Sequence, residues 1–378
     1  MIYNKNMEKR YGIFGGAFNP PHKEHIRICE ETAKVLGLDK IILVPSFNAP
    51  HKNTQVSFED RCQMTFLSVK DNPVFLIDDI EKDLNGKTYS YLVLKALKEK
   101  YKNIVFIIGG DSLYNFHKWR NPDEILKTCP IAVISRGEDK NLSHIAEEYN
   151  KQGGEVKLLN IVGKDVSSSL IRYAIQLDVD IDEYLYPLCA KYIKEKGLYL
   201  DYQEMVNKLK ENLSEKRYQH TVQTVMTALH LNTFLGLSSE KVFISALLHD
   251  CAKNLDKIHQ GVPEDCIHTP VLHAFNGAIE AEKNYGISDF EIIEAIRYHT
   301  TGRANMSTLE KLIFLADLIE PSRDYPGVEE IREVAYQDFE KGFLLAVKRS
   351  KKYLEERKVP IYYLTEECYN YYVKENLK

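Results

Sequence analysis

Between residue 10 and about residue 200, short β-branched and apolar runs alternate with segments of helical length. The runs fall at 11–14, 41–45, 74–77, 104–108, 131–135 and 156–160. This alternation predicts a parallel sheet flanked by helices. In such sheets ligands bind where strands end, so the loops to watch are Gly15-Gly16, 45–52 and Gly109-Gly110-Asp111. Beyond Leu200 the strand-like runs stop. Apolar residues then recur at helical spacing, as in Val222, Val225, Met226 and Leu229, then Val242, Phe243, Ala246 and Leu247. The pattern therefore predicts an α/β domain over 1–200 and an all-α domain over 201–378. They join near "KGLYLDYQEM", without a Gly/Ser linker.

Composition narrows the class without changing that division. At 378 residues the chain exceeds what one core usually supports. With 44% hydrophobic and 28% charged residues it reads as an ordinary folded protein. A net charge of −5 gives no global attraction to nucleic acid, so no nucleic-acid partner is expected. Seven scattered cysteines form no CxxC pair and read as reduced thiols, which points to the cytoplasm. No apolar signal core or membrane-length run is present, so neither export nor a membrane partner is expected, and Met7 could serve as the start as well as Met1.

The candidate chemistry of the front half starts at "YGIFGGAFNPPHKEH". A strand that ends in Gly-Gly before a helix can bring backbone N–H groups against phosphate oxygens. His22 and His25, at that helix start, could donate to a triphosphate as charge builds on its bridging oxygens. Lys52 lies on the second loop. "VSSSLIR" opens a helix with Ser167, Ser168 and Ser169 and sets Arg172 one turn inside. Each has a plainer reading: surface histidines, a solvated lysine, an N-cap. Their coincidence at the strand ends of one sheet favours an anion site.

These segments, with "GKTYSYLVL", "IIGGDSLYNFHKWRNPDEIL" and "ISRGE", resemble the bacterial nicotinate-nucleotide adenylyltransferases of the HxGH nucleotidyltransferase superfamily, from Tyr11 to Tyr199. The resemblance implies a Rossmann-like domain that transfers an adenylyl group from ATP, with Mg²⁺, to nicotinate mononucleotide. His22, His25, Lys52 and Arg172 would hold the ATP phosphates, Ser167 and Ser168 would add donors, and Asp111 would hold ribose. Tyr89 and Ser90 would lie near the nicotinate end, with Trp119 stacked on the pyridine ring. Gly15, Gly16, Phe18, Asn19, Gly109 and Arg136 complete the implied nucleotide contacts. One position departs from the family: Glu24 stands where HxGH has glycine. A carboxylate about 4 Å from a phosphate would cost roughly 4 kcal/mol unless it points away or meets Mg²⁺. The alternatives are an adenylyltransferase for another phosphate, such as phosphopantetheine, and a nucleotide sensor silenced by Glu24.

The helical half contains His220, the adjacent pair His249-Asp250, then His273, His299 and Asp317. Imidazoles mixed with carboxylates suit Mn, Fe or Zn better than Mg or Ca. His230, His259 and His268 lie near them in sequence and show that spacing alone does not choose ligands. "RYQHTVQTV", "ALLHDCAKN", "VLHAFNGA" and "YHTTGRANMSTLEKLIFLADLIEPSRDYPGV" resemble the HD-domain phosphohydrolases, more narrowly the symmetrical diadenosine tetraphosphate hydrolases, over 217–328. The resemblance implies one metal on His220, His249, Asp250 and Asp317, and a second on His273 and His299 with Asp250 bridging. Both would be divalent or mixed-valence transition metals, iron first and manganese as the alternative. Lys253 would assist catalysis, Arg303 and Arg323 would meet the polyphosphate, and the products would be two ADP. Another nucleotide phosphohydrolase, or a metal-stabilised interaction module, is the competing reading. The chain as a whole is thus expected to be a bifunctional enzyme acting on ATP, nicotinate mononucleotide and diadenosine tetraphosphate, with homo-oligomerisation left open.

Overall fold

In the computed structural model, which describes residues 9–47, 56–84, 88–135, 139–164 and 166–374, the apolar runs of the front half become strands. They are β1 (Arg10–Gly16), β2 (Lys40–Pro45), β3 (Phe75–Ile77), β4 (Asn103–Gly109), β5 (Ile131–Ser135) and β6 (Val156–Asn160). The sheet order is β3-β2-β1-β4-β5-β6 and every pair is parallel. Strand order reverses between β1 and β4, which leaves a crevice at their carboxyl ends. β1 runs on to Gly16 because Gly15 and Gly16 continue the ladder opposite Val44 and Pro45.

Side chains alternate between two buried layers, as a strand's period of two requires. Ile41 and Leu43 pack with Ile26, Cys29 and Ala33 of the helix Lys23–Leu36. Ile42 and Val44 pack with Val93, Leu94 and Leu97 of the helix Ser90–Lys100. Each such burial contributes about 1.5–3 kcal/mol relative to exposure. β1 has a glycine in this packing, for a Cβ on Gly12 would lie 2.6 Å from Ile41 Cδ1 and 2.9 Å from Leu38 Cδ1.

The chain divides into two compact units, Met1–Arg172 with Asp180–Tyr199, and Tyr173–Val179 with Leu200–Lys378. The segment Tyr173–Val179 belongs to the front half on sequence but groups with the helical unit. There the Tyr173 ring stacks on Phe243 at 4.3 Å, and Gln176 accepts a hydrogen bond from the Tyr202 amide.

In the helical unit, Glu215–Leu235 packs on Ser239–Leu248 and on Thr308–Ile319. Phe290–Tyr298 packs on Leu272–Tyr285, Ser239–Leu248 and Thr308–Ile319. Ser214, Ser238, Asp289 and Ser307 cap helix starts through their side-chain oxygens, and Gly236 and Gly286 end helices in the left-handed conformation. Among the described residues no helix is long and apolar enough to cross a membrane.

Candidate active sites

At the carboxyl end of β1 the chain turns through Ala17 to Pro21 into the helix Lys23–Leu36, with His22 as its N-cap. The His22 and His25 rings stack at 3.6 Å, and the His22 amide donates to His25 Nδ1 at 3.2 Å. Phe14 and Phe18 back the His25 ring at 6.2 and 5.5 Å. Burial lowers the His22 pKa to about 4, against a weaker opposing pull from Glu24, so its imidazole is neutral at pH 7. The turn is held from several sides. Arg172 donates to the Asn19 carbonyl (2.8 Å) and to Ser169 Oγ (3.0 Å), and Ser168 Oγ donates to the Pro20 carbonyl (2.9 Å). Tyr199 donates to Asn19 Oδ1 (2.8 Å), and the buried Arg61 donates to the Ala17 carbonyl (2.7 Å).

These contacts refine several sequence expectations. Ser167 Oγ accepts from the Leu170 amide, which makes it the N-cap of its helix. Arg172 and Ser168 brace the loop that carries the histidines. The Phe18 side chain lies in the core at 2% exposure, edge-on to the His25 ring. Gly109 and the exposed Asp111 stand at the carboxyl end of β4, beside β1. Trp119 is half-buried against Phe106 and Phe116, at 6.2 and 5.4 Å. Tyr89 is exposed and stacks on Tyr91, and Ser90 starts the helix Ser90–Lys100. Lys52 and Arg136 lie outside the described residues.

Glu24, at the position where HxGH has glycine, is engaged by Arg27 and by the loop after β6. It is buried, and its carboxylate accepts two hydrogen bonds from Arg27 and one from the Lys164 amide at 2.8 Å. Arg27 also donates to the Val162 carbonyl at 2.6 Å. Burial alone would raise the Glu24 pKa, but the Arg27 and Lys164 bonds outweigh it and hold the group below its ordinary value. The negative charge is thus directed to the loop after β6 and largely neutralised there.

In the helical unit five helices bring the six predicted ligands together. His220 lies within Glu215–Leu235 and Asp317 within Thr308–Ile319, while His249 and His299 cap the C-termini of their helices. Asp250 follows His249, and His273 opens Leu272–Tyr285. Donor atoms of His220, His249 and Asp317 lie within 4.8 Å of one another, as do those of His249, Asp250 and His299. Asp250 divides the cluster. Its Oδ2 lies 3.7 Å from His249 Nε2 and 3.9 Å from His220 Nε2. Its Oδ1 lies 3.3 Å from His273 Nε2 and 3.6 Å from His299 Nε2.

The hydrogen bonds behind the rings suit metal ligation. Nδ1 of His249, His273 and His299 meets the carbonyl oxygens of Ala246, Pro270 and Ile296 at 2.6, 2.7 and 2.7 Å, and Nδ1 of His220 meets Glu320 Oε1 at 3.0 Å. An Nδ1–H donated in this way leaves the Nε2 lone pair facing the cluster. Burial lowers His249 to about 4 and His273 to about 3, favouring the neutral ligand form. Asp250 and Asp317 lie far below the usual carboxylate range although burial opposes this, and each has a guanidinium beside it, Arg217 at Asp250 and Arg323 at Asp317. Asp250 Oδ1 is buried without a hydrogen-bond partner, a costly condition for a carboxylate that a cation would relieve. Mixed nitrogen and oxygen donors, with the Asp250 carboxylate between two sets of imidazoles, fit a divalent metal site.

Cations surround this cluster. Lys253 Nζ lies 3.0 Å from His273 Nε2 and 3.8 Å from Asp250 Oδ1, and Arg323 pairs with Asp317. Arg303 pairs with Glu310 and Glu294 over the face of Tyr298. Sequence reasoning missed Arg217, whose Nη1 lies 2.8 Å from Asp250 Oδ2, and Thr300, whose hydroxyl lies 3.0–3.1 Å from His273 and His299 Nε2. It also missed Glu320. Arg217 stands three residues before His220 and Glu320 three after Asp317, each one helical turn from a ligand, which is the signal that could have found them.

A doubly wound parallel sheet with a braced histidine turn at its switch point defines a nucleotidyltransferase-like unit, and a helical His/Asp cluster defines an HD-type metal centre. Residues 13–174 match the cytidylyltransferase-like family and residues 217–322 the HD domain. The chain is 27% identical over 360 residues, 90% of its length and 98% of the relative's, to the probable nicotinate-nucleotide adenylyltransferase/Ap4A hydrolase of Mycoplasma genitalium. It is 34% identical to the probable nicotinate-nucleotide adenylyltransferase of Citrifermentans bemidjiense over 51% of this chain and 99% of that one. It is 39% identical to the symmetrical bis(5'-nucleosyl)-tetraphosphatase of Halalkalibacterium halodurans over 43% of this chain and 91% of that one. The chain therefore belongs to the nicotinate-nucleotide adenylyltransferase family in its front half and to the symmetrical bis(5'-nucleosyl)-tetraphosphatase family in its back half.

Proposed function

We propose that the chain is a bifunctional enzyme, with an adenylyltransferase for nicotinate mononucleotide in residues 1–200 and a symmetrical diadenosine tetraphosphate hydrolase in residues 201–378. The braced His22/His25 turn at the carboxyl end of β1 supports the first activity. In the transfer, a phosphate oxygen of nicotinate mononucleotide attacks the α-phosphorus of ATP. The new O–P bond forms as the bond to the β-phosphate bridging oxygen breaks, giving deamido-NAD and pyrophosphate. No covalent enzyme intermediate is needed, so the residues position and neutralise. His22 donates an N–H as a neutral imidazole, and His25 is aimed by Phe14 and Phe18. Mg²⁺ bound with ATP would offset the charge of the leaving pyrophosphate. The pairing of Glu24 with Arg27, which offsets its charge, supports an active front half.

The observation that carries the second activity is Asp250, whose two oxygens face two separate imidazole pairs. His220, His249, Asp250 and Asp317 would hold one metal, and Asp250, His273 and His299 a second. Two such metals, iron first and manganese as the alternative, would supply Lewis acidity toward phosphoryl oxygens and water. The chain itself orients the imidazoles through Nδ1 and surrounds the site with Arg217, Lys253 and Arg323, whose charges offset those of a tetraphosphate. The free cysteines support a cytoplasmic location.

One preparation of the full chain tests both halves. Pyrophosphate release from ATP is compared with nicotinate mononucleotide, its amide and phosphopantetheine as acceptors, and diadenosine tetraphosphate products are resolved by chromatography. Release that prefers nicotinate mononucleotide, and ADP as the sole hydrolysis product, are expected. Release with phosphopantetheine alone refutes the first assignment, and AMP with ATP refutes the second.

A further inference from the structure

We infer that Glu24 is a positioning residue of the adenylyl-transfer site, which with Arg27 ties the histidine-bearing helix to the loop at 162–164. The inference rests on the adenylyltransferase reading above. Two sets of contacts join the same two stretches of chain. On one side Ser168 and Arg172 grip the Pro20 and Asn19 carbonyls just before His22. On the other, Glu24 takes the Lys164 amide and Arg27 reaches the Val162 carbonyl, just before the serine-rich helix start. His22 and His25 lie between these clamps. Glu24 is 7% exposed and immediately precedes His25, so releasing its carboxylate frees the first turn of the helix that presents both imidazoles.

The arrangement also explains how a side chain is tolerated next to His25. Arg27 holds Glu24 through a forked pair of hydrogen bonds, a geometry that fixes direction as well as charge. The carboxylate is thereby committed to the loop after β6. Glycine at this position would remove the tie, and the sequence expectation of a charge conflict is reversed: restoring glycine here impairs the site.

The test uses the full-length chain with Glu24→Gly, Glu24→Gln, Arg27→Ala and the Glu24→Gly/Arg27→Ala double variant, assayed for pyrophosphate release with ATP and nicotinate mononucleotide. Glu24→Gly and Arg27→Ala should each lower kcat about tenfold, the scale of a small misplacement of catalytic groups, with KM for nicotinate mononucleotide within about twofold. The double variant should be no slower than the slower single one, because both remove the same tie. Glu24→Gln keeps an acceptor for the Lys164 amide and should recover most of kcat. Glu24→Gly at or above wild-type speed, additive losses in the double variant, or a change in KM alone would overturn the inference. Trp119 fluorescence confirms that each variant is folded, and Arg27→Ala, which leaves residue 24 unchanged, carries the test if glycine unfolds the unit. A wild-type chain that releases no pyrophosphate defeats the functional reading instead, and the inference with it.

Discussion

Glu320→Gln isolates the contribution of a residue that should touch no metal. Of the four clustered imidazoles, three rest Nδ1 on backbone carbonyls, which no substitution of the partner's side chain removes. His220 rests on Glu320, whose Oε1 is 3.0 Å from Nδ1 and whose side chain is fully buried. Ser322 holds the carboxylate in place through its amide and hydroxyl. Burial opposes ionisation of Glu320, yet the His220 and Ser322 bonds keep its pKa below the ordinary value. The His220 contact is therefore charge-assisted, worth about 1.5–3 kcal/mol. At about 1.4 kcal/mol per decade this is roughly a 10- to 100-fold effect. Glutamine keeps the shape and one acceptor, which places the expected loss at the lower end, about 10- to 30-fold in metal affinity. Mn²⁺ is titrated into chelator-treated full-length protein by calorimetry, and diadenosine tetraphosphate cleavage is followed over the same metal range. Both midpoints should move to higher metal concentration, with cleavage restored at saturation and pyrophosphate release by the front half unchanged. An unmoved midpoint, or cleavage lost at every metal concentration, would refute this role.

Three further outcomes follow from the geometry. Asp250→Asn removes the charge shared by both imidazole pairs and should cut diadenosine tetraphosphate cleavage by about a thousandfold or more, while pyrophosphate release stays intact; retained cleavage would remove Asp250 from the site. Glu81→Gln should raise the melting midpoint of the front unit at pH 8 and leave it unchanged near pH 4, read by fluorescence of Trp119, the chain's single tryptophan. Burial raises the Glu81 pKa from 4.5 to about 7, so the folded state binds more protons and stability falls as pH rises through that window, by up to about 3 kcal/mol. Arg172→Lys replaces a fork that spans Asn19 and Ser169 with a single point charge and should lower the same midpoint by the equivalent of about 1–2 kcal/mol. An unchanged midpoint would show that the brace contributes nothing.

The strands were legible because a central parallel strand must be apolar toward both layers, and Ile41 to Val44 satisfy that over consecutive positions. The switch from short runs to helical spacing near Leu200 marked the change of architecture for a similar reason. Ligand types were legible too, since imidazoles and carboxylates on predicted helices limit the chemistry whatever their partners. The Glu24–Arg27 pair lay within reach of sequence, three residues apart on a helix. The Lys164 amide, 140 residues further along, did not.

Sequence by itself determined the two architectures, the presence of a glycine turn with two histidines, and the supply of six metal-ligating side chains. Tertiary structure alone decided where each charge points. It tied Glu24 to the Lys164 amide, gave Arg303 to Glu310, placed Arg217 on Asp250, and set the two oxygens of Asp250 toward different imidazole pairs. The physical reason is range. Periodicity is imposed by each segment's own backbone geometry and can be read locally, whereas the partner of a buried charge is chosen by which distant segment reaches it first with a matching group.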